Sequence, residues 1–172
     1  MNKVVRSSKL FDGFGDAEFK RVLALFEHRS YEPLSTIFLE YMPGNTLLVL
    51  EKGLVKITKI RDEFEMDQGE DVVGEAQASR NSMERTLVHI KPGEFFGEMS
   101  FIDGKNRSAS AFAIEKSEIL ALDRKVFETL SRDDTMLAFK LAMNMARIMS
   151  GRLRQTDQLV VGLTDMLFKF SS

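Results

Sequence analysis

Brief apolar runs separated by turn residues restrict the fold of this chain more than any other feature. Turns are marked by Pro43, Gly44, Asn45 and Gly53. Runs of this length, bounded by glycine and proline, are typical of β-strands. Short strands at near-regular spacing predict an antiparallel sandwich or barrel. The runs cover residues 37–40, 47–50, 54–57, 86–90, 110–114 and 117–122.

Helical periodicity flanks the strand region on both sides. Asp16 is a suitable N-cap for a helix that we expect to run to about His28, and Asp123 is a suitable N-cap for a short second helix. A long helix is predicted from Asp134 to about Phe168, with Asp133 or Asp134 as its cap. Its first turns can pack on their own chain, but a stripe this long predicts pairing with the same helix of a second copy. The stripe consists of Leu137, Leu141, Met145, Ile148, Met149, Leu153, Leu159, Leu163 and Leu167.

Residues 93–113 carry the pattern that points to a ligand, and they read G-E-F-F-G-E-M-S-F-I-D-G-K-N-R-S-A-S-A-F-A. Gly97 lets the backbone approach a ligand closely, and a helical turn from Glu98 would direct free N–H groups at an anion. Arg107 offers a planar charged fork for a phosphate. Glu98 is suited to accept a hydrogen bond from a hydroxyl group, such as that of ribose. Taken alone, Glu98 and Arg107 would favour a turn with a surface ion pair.

This segment resembles the phosphate-binding cassette of the cyclic nucleotide-binding domains. That family includes bacterial catabolite activator proteins, regulatory subunits of cyclic AMP-dependent kinase and cyclic nucleotide-gated channels. Its pattern is F-G-E, an apolar run, and then Arg followed by Ala, Ser or Thr and by Ala. Here the pattern reads Phe96-Gly97-Glu98 and Arg107-Ser108-Ala109. The separation of Glu98 from Arg107 equals that in the kinase regulatory subunits.

The resemblance implies reversible binding of a 3′,5′-cyclic nucleotide without catalysis. Arg107 would neutralise the cyclic phosphate, backbone amides would complete its cradle, and Glu98 would accept the ribose 2′-hydroxyl. Serine at position 108 favours cyclic AMP over cyclic GMP, because threonine there is the family's marker for cyclic GMP. Either Arg152 or Arg154 could reach over the pocket and stack on the purine, but solvated positions on the helix are the favoured interpretation. The expected ligand-binding residues are Gly97, Glu98, Met99, Ser100, Arg107, Ser108, Ala109 and Arg152.

The resemblance also implies the fold: mainly β with flanking helices. An antiparallel double-stranded β-helix, a jelly-roll-like β-roll, would lie between a short N-terminal helix and a long C-terminal helix. We expect a helical lead over residues 1–30, the roll over 31–123, and a dimerisation and signalling arm over 124–172. Phe96, Met99 and Phe101 should brace the cassette from the core.

Two segments depart from the family pattern. The family often has glycine at the turn positions that Leu34 and Tyr41 occupy here, so we expect the strand connections to differ locally. Residues 61–86 are longer and more polar than the family's hairpin, and we predict an exposed hairpin or loop there. A partner-docking arm or a flap over the pocket is the less favoured interpretation of this segment.

Composition and charge argue against several other classes of protein. The net charge of −2 and the lack of a basic tail argue against nucleic-acid binding, and there is no cysteine for a disulfide or thiolate site. The two histidines, His28 and His89, lack metal-ligand spacing, so a metal-dependent cupin enzyme is not expected. We expect no catalytic residues, no catalytic cofactor and no metal site.

The remaining expectations concern location and partners. Neither a signal peptide nor a run of ~20 apolar residues is recognisable, so a cytoplasmic protein without a membrane span is expected. Too few residues follow Leu167 for a helix-turn-helix domain. The favoured prediction is a cyclic nucleotide sensor that forms a homodimer and relays ligand occupancy through its C-terminal helix. Its downstream partner would be either a separate protein or a second copy of the same chain. The alternative is an interaction module that keeps the fold without a ligand.

Overall fold

Two antiparallel sheets with helices at both chain ends make up the computed structural model, which describes residues 3–61 and 83–170. The predicted mainly-β roll with a short N-terminal and a long C-terminal helix is confirmed. In chain order the elements are α1 (Lys3–Arg6), a 3-10 turn (Lys9–Phe11), α2 (Asp16–Leu23), β1 (Glu27–Tyr31), β2 (Thr36–Phe38), β3 (Thr46–Lys52), β4 (Val55–Arg61), β5 (Met83–Ile90), β6 (Phe95–Phe96), α3 (Glu98–Asp103), β7 (Ser110–Ala113), β8 (Ser117–Asp123), α4 (Arg124–Asp133) and α5 (Thr135–Phe170).

The two sheets each contain four strands, in the orders β1-β8-β3-β6 and β2-β7-β4-β5. Strand β3 is buried on both of its faces, because all of residues 46–50 are buried. Leu47 and Val49 contact the helices, whereas Leu48 and Leu50 contact the core between the sheets. Side chains alternate between the faces of a strand, so this continuous apolar run covers two separate cores.

The N-terminal lead differs from its prediction in two respects. Helix α2 ends at Leu23 rather than near His28, because the chain from Glu27 pairs with β8 as strand β1. The expected cap is also displaced by one residue. Gly15 is the N-cap, and its N–H donates to the carboxylate of Glu18 at 2.8 Å.

The C-terminal helices begin at the predicted caps. The Asp123 carboxylate accepts the N–H of Lys125 at the start of α4, and that of Asp134 accepts the N–H of Leu137 near the start of α5. The first turns of α5 pack on the N-terminal lead, where the buried Asn144 donates to two backbone carbonyls. From residue 153 to residue 169 every side chain of α5 is exposed.

Leu34 and Tyr41 both lie in the left-handed region, with φ of 64° and 65°. The chain therefore keeps the backbone conformation that glycine favours at these two positions. Because leucine and tyrosine carry a Cβ atom, this conformation is sterically strained here. The predicted hairpin or loop over 61–86 falls mostly on residues 62–82, outside the described residues. Within 3–61 and 83–170, no helix combines the length and apolar content needed to cross a membrane.

We expect Leu34→Gly to raise the free energy of unfolding by about 0.5–1 kcal/mol, because it removes the left-handed strain. Little burial is lost, since Leu34 is 81% exposed. Denaturant unfolding measures the change. Glu32→Gly, nearby and exposed, is the control and should lower the stability. A Leu34→Gly protein no more stable than the parent would contradict the strain.

Candidate functional site

Arg107 lies in the loop before β7. The backbone of this loop is hydrogen-bonded to the connection between β2 and β3. The N–H of Tyr41 donates to the carbonyl of Arg107 at 2.9 Å, and the N–H of Arg107 donates to the carbonyl of Met42 at 2.8 Å. Pro43 and Asn106 form an isolated bridge beside them. These bonds place the backbone of Arg107 between the turn after β2 and the start of β7.

The side chain of Arg107 points into the protein and is 5% exposed as a residue. Its Nη1 donates to the carbonyls of Thr46 (3.1 Å) and Gly97 (2.9 Å) and to Oγ of Ser100 (2.7 Å). Its Nη2 donates to Oγ1 of Thr46 at 2.7 Å, and the guanidinium lies 4.3 Å from the ring centroid of Phe38. Every one of these acceptors is a neutral oxygen atom.

Several N–H groups at this guanidinium and in its loop find no acceptor among the residues that the structure describes. Nε of Arg107 is buried and unsatisfied within the described part of the chain. The backbone N–H groups of Gly97, Ser108 and Ala109 likewise have no acceptor among residues 3–61 and 83–170. Because buried polar groups are nearly always hydrogen-bonded, the buried Nε indicates a place for an anion. The amides of the half-buried Gly97 and Ala109 and of the exposed Ser108 are further donors for the same anion.

Two glycines allow the guanidinium to lie this close to the backbone. Gly97 has φ of 74°, and a Cβ atom there would lie 2.7 Å from Nη1 of Arg107. A Cβ at Gly44 would overlap Nε and lie 2.6 Å from Cδ of the same side chain. Any larger residue at either position would displace the arginine.

Glu98 begins helix α3 and is joined to the long helix α5. Its side chain is 14% exposed, and its Oε1 lies 3.1 Å from Nη1 of Arg152. Arg152 also donates to the carbonyl of Phe95 at 2.7 Å and lies 4.8 Å from the centroid of that ring. The favoured expectation of a solvated helix-face position for Arg152 is therefore wrong. The exposed Arg154, which bonds Oγ of Ser150, does occupy such a position.

The electrostatics of the site are dominated by the burial of Arg107. Burial lowers the pKa of its guanidinium from the ordinary value, whereas the nearby Glu98 carboxylate acts in the opposite direction. Arginine nevertheless stays protonated in proteins. The site therefore contains a fixed positive charge whose direct hydrogen-bond partners are all neutral.

The structure brings most of the expected site residues together around Arg107. Ser100 binds the guanidinium, and the amides of Gly97, Ser108 and Ala109 have no acceptor within the described ranges. The predicted bracing role holds for the buried Phe96 and Phe101 but is wrong for Met99. Met99 is 52% exposed on the outer side of α3, where Oγ of Ser108 lies 3.3 Å from its sulfur.

Sequence reasoning missed three residues that shape the site. Phe38 and Thr46 contact the guanidinium, and Gly44 leaves room for it. The local sequence predicts only a turn at Gly44, although a glycine close to a proposed ligand site is itself a signal of close approach. Nothing in the sequence around Phe38 or Thr46 distinguishes them from other strand residues.

Residues 28–134 match the family model described as the cyclic nucleotide-binding domain. The chain is 35% identical over 153 residues to the cyclic AMP receptor protein of Thermus thermophilus, covering 89% of this chain and 61% of that protein. A CRP-like cAMP-activated global transcriptional regulator of Mycobacterium tuberculosis is 21% identical over 168 residues, which cover 98% of this chain and 64% of the regulator.

Among solved structures, the Thermus thermophilus catabolite activator protein superimposes with a TM-score of 0.72 and 32% identity. The match covers 91% of this chain and 63% of that structure. The chain thus spans less than two thirds of the length of these curated relatives.

We expect Gly44→Ala to lower the free energy of unfolding by about 1–3 kcal/mol, because the added methyl group overlaps the guanidinium. In an Arg107→Ala background the same change should cost at least about 1 kcal/mol less, since the overlapping atoms are gone. Denaturant unfolding of the four proteins of this cycle measures the coupling. An equal cost of Gly44→Ala in both backgrounds would contradict the described position of Arg107.

Proposed function

Because the chain belongs to the cyclic nucleotide-binding domain family, we propose that it reversibly binds a 3′,5′-cyclic nucleotide as a regulatory domain. Cyclic AMP is the proposed ligand, in preference to cyclic GMP. The relatives that support this are named as a cyclic AMP receptor and a cAMP-activated regulator, and neither name describes an enzyme. We therefore propose a non-catalytic role.

The buried guanidinium of Arg107 is the observation that carries this proposal. An isolated charge in a protein interior is unfavourable unless an opposite charge or good hydrogen bonds compensate it. Arg107 has an unsatisfied Nε, and three backbone amides beside it lack acceptors within the described residues. A cyclic phosphate carries one negative charge and free oxygen atoms, so it would satisfy the charge and these donors together.

Glu98 and Ser108 are proposed to recognise the rest of the nucleotide. The Glu98 carboxylate can accept the ribose 2′-hydroxyl, because Arg152 is bonded to Oε1 only. The Ser108 hydroxyl contacts the sulfur of Met99, which is a weak acceptor. Serine in place of threonine leaves cyclic AMP favoured over cyclic GMP. Met99, Ser100 and Ala109 complete the proposed contact set.

The alternative of a ligand-free interaction module is less well supported. In a domain that no longer bound an anion, a buried arginine with an unsatisfied hydrogen-bond donor would lower stability without serving a function. Replacing a buried charge by apolar residues is often neutral or stabilising. The retention of Glu98 and Arg107 therefore favours the sensor.

We expect Arg107→Ala to weaken cyclic AMP binding at least about thirtyfold, because a charge-assisted contact to the phosphate is lost. Isothermal calorimetry with cyclic AMP and cyclic GMP measures this effect and the base preference. Arg154→Ala is the matched control and should bind like the parent, since Arg154 contacts Ser150 on its own helix.

Absence of heat from the parent protein with either nucleotide would overturn the proposed function. Undiminished binding by a folded Arg107→Ala protein would instead overturn the proposed site.

We further propose that ligand occupancy is relayed to helix α5 through Arg152. Arg152 is the residue of α5 that bonds Glu98, and it bonds the carbonyl of Phe95 as well. A ribose hydroxyl on the other oxygen of the Glu98 carboxylate would share its charge and so alter the strength of the bond to Arg152. The ligand would then shift the population of α5 positions, provided that its affinity differs between them.

We expect Arg152→Ala to uncouple this relay while leaving cyclic AMP affinity within about tenfold of the parent. Hydrogen exchange of residues 151–170 reports the response of α5 to ligand. The exchange should change on cyclic AMP addition in the parent and in the Arg154→Ala control, but not in Arg152→Ala. A full ligand response in Arg152→Ala would contradict the relay.

The exposed half of α5 is proposed to pair with the same helix of a second copy. It carries large apolar side chains that are each more than half exposed, and such a surface favours association. Within the division proposed from the sequence, residues 124–172 would thus serve as the dimerisation and signalling arm. The exposed residues are Leu153, Leu159, Val160, Val161, Leu163, Met166, Leu167 and Phe168.

We expect the parent to sediment as a dimer and the double variant Leu159→Asp, Leu163→Asp to sediment as a monomer, because two charges would face the apolar seam. Leu34→Asp, which changes an exposed leucine elsewhere, is the control and should remain dimeric. A monomeric parent at micromolar concentration would contradict this pairing.

A further inference from the structure

A buried carboxylate, that of Glu40, lies where strands β4 and β7 separate. Its side chain is 2% exposed, and its Oε2 accepts the N–H of Ile60 at 3.1 Å. The N–H of Glu40 donates to Oγ of Ser110 at 2.9 Å, and Nζ of Lys59 lies 3.9 Å from Oε1. Glu40 thus contacts the last part of β4 and the first residue of β7 together.

The pairing of β4 with β7 shows what this carboxylate replaces. The ladder runs from Val55 opposite Ala113 to Thr58 opposite Ser110 and goes no further. Residues two apart on a strand direct their N–H and C=O groups to the same side. The next pair in this register would be Ile60 and Ser108, each bonding the other's backbone. In the structure the N–H of Ile60 donates to the Glu40 carboxylate instead.

Because the Glu40 carboxylate accepts the N–H of Ile60 in place of Ser108, the amide of Ser108 stays outside the sheet. If Ile60 bonded Ser108, the N–H of Ser108 would be directed at the carbonyl of Ile60 and could not reach a ligand. Within residues 3–61 and 83–170 the N–H of Ser108 has no acceptor. The preceding residue, Arg107, is bonded on the opposite side to Tyr41 and Met42. The chain therefore leaves the sheet at the loop that carries the arginine.

We infer that Glu40 is a positioning residue for the phosphate cradle: its carboxylate ends the β4–β7 ladder and so keeps the Ser108 amide available to the ligand. The inference rests on the proposed cyclic nucleotide binding and adds a residue that does not touch the nucleotide. A carboxylate suits the task because its oxygen accepts the N–H of Ile60, which is then no longer available to Ser108.

Three variants test the role of the acceptor. Glu40→Leu removes it, and we expect cyclic AMP binding to weaken roughly tenfold as one amide contact to the phosphate is lost. Glu40→Gln keeps a carbonyl oxygen for Ile60 and should bind within about threefold of the parent. Lys59→Ala removes the nearby cation without touching the bond to Ile60 and should bind like the parent. Calorimetry measures all three.

Hydrogen exchange of the Ser108 amide separates positioning from general stability. In the parent without ligand this amide should exchange freely and become protected when cyclic AMP is added. In Glu40→Leu it should already be protected at least about tenfold without ligand, because the ladder extends to Ser108. Glu40→Gln should restore free exchange.

Unchanged cyclic AMP affinity in Glu40→Leu, or a Ser108 amide protected in the unliganded parent, would overturn the inference. If Glu40→Leu does not fold, the exchange of Ser108 in the parent and in Glu40→Gln decides it. A parent that binds no cyclic nucleotide but has a freely exchanging Ser108 amide would overturn the proposed function and leave the ladder-ending role of Glu40 supported.

Discussion

A permanently charged guanidinium buried among neutral oxygen atoms is the constraint on which the site depends. Arg107 is held by Thr46, Gly97 and Ser100, and its Nε is left without an acceptor in the described part of the chain. These bonds fix the geometry of the charge without neutralising it. An anion that reached the loop would gain both the charge and the unused donors, whereas a neutral ligand would gain neither.

The arrangement requires parts of the chain that are distant in sequence. Strand β3 supplies Thr46, helix α3 supplies Ser100, and the turn at Gly44 leaves room for the side chain. Glu98 lies at the start of the same α3 helix and is bonded to Arg152 of α5. The proposed phosphate and ribose contacts therefore lie within one short segment, and one of them is also joined to the helix proposed to carry the signal.

Local patterns predicted six of the eight strands that the structure describes, the caps at Asp123 and Asp134, and the residues of the cassette, because these depend on neighbours in sequence. Pairing of distant segments overrode the local pattern elsewhere. Glu27 lies in a strand because β8 pairs with it, and Arg152 is only partly exposed because it bonds Glu98 at 3.1 Å. The contact of Glu40 with Ile60 likewise depends on the register of β4 and β7, which a single sequence does not specify.

The Nε–H of Arg107 is proposed to donate a hydrogen bond to the bound anion, and nitrogen NMR of the arginine side chains tests this most directly. The Nε–H signal of Arg107, assigned by its loss in Arg107→Lys, should shift on titration with cyclic AMP and saturate at one nucleotide per chain. Adenosine, which lacks the phosphate, should leave it unchanged. A signal that did not move while cyclic AMP bound elsewhere on the protein would contradict the account.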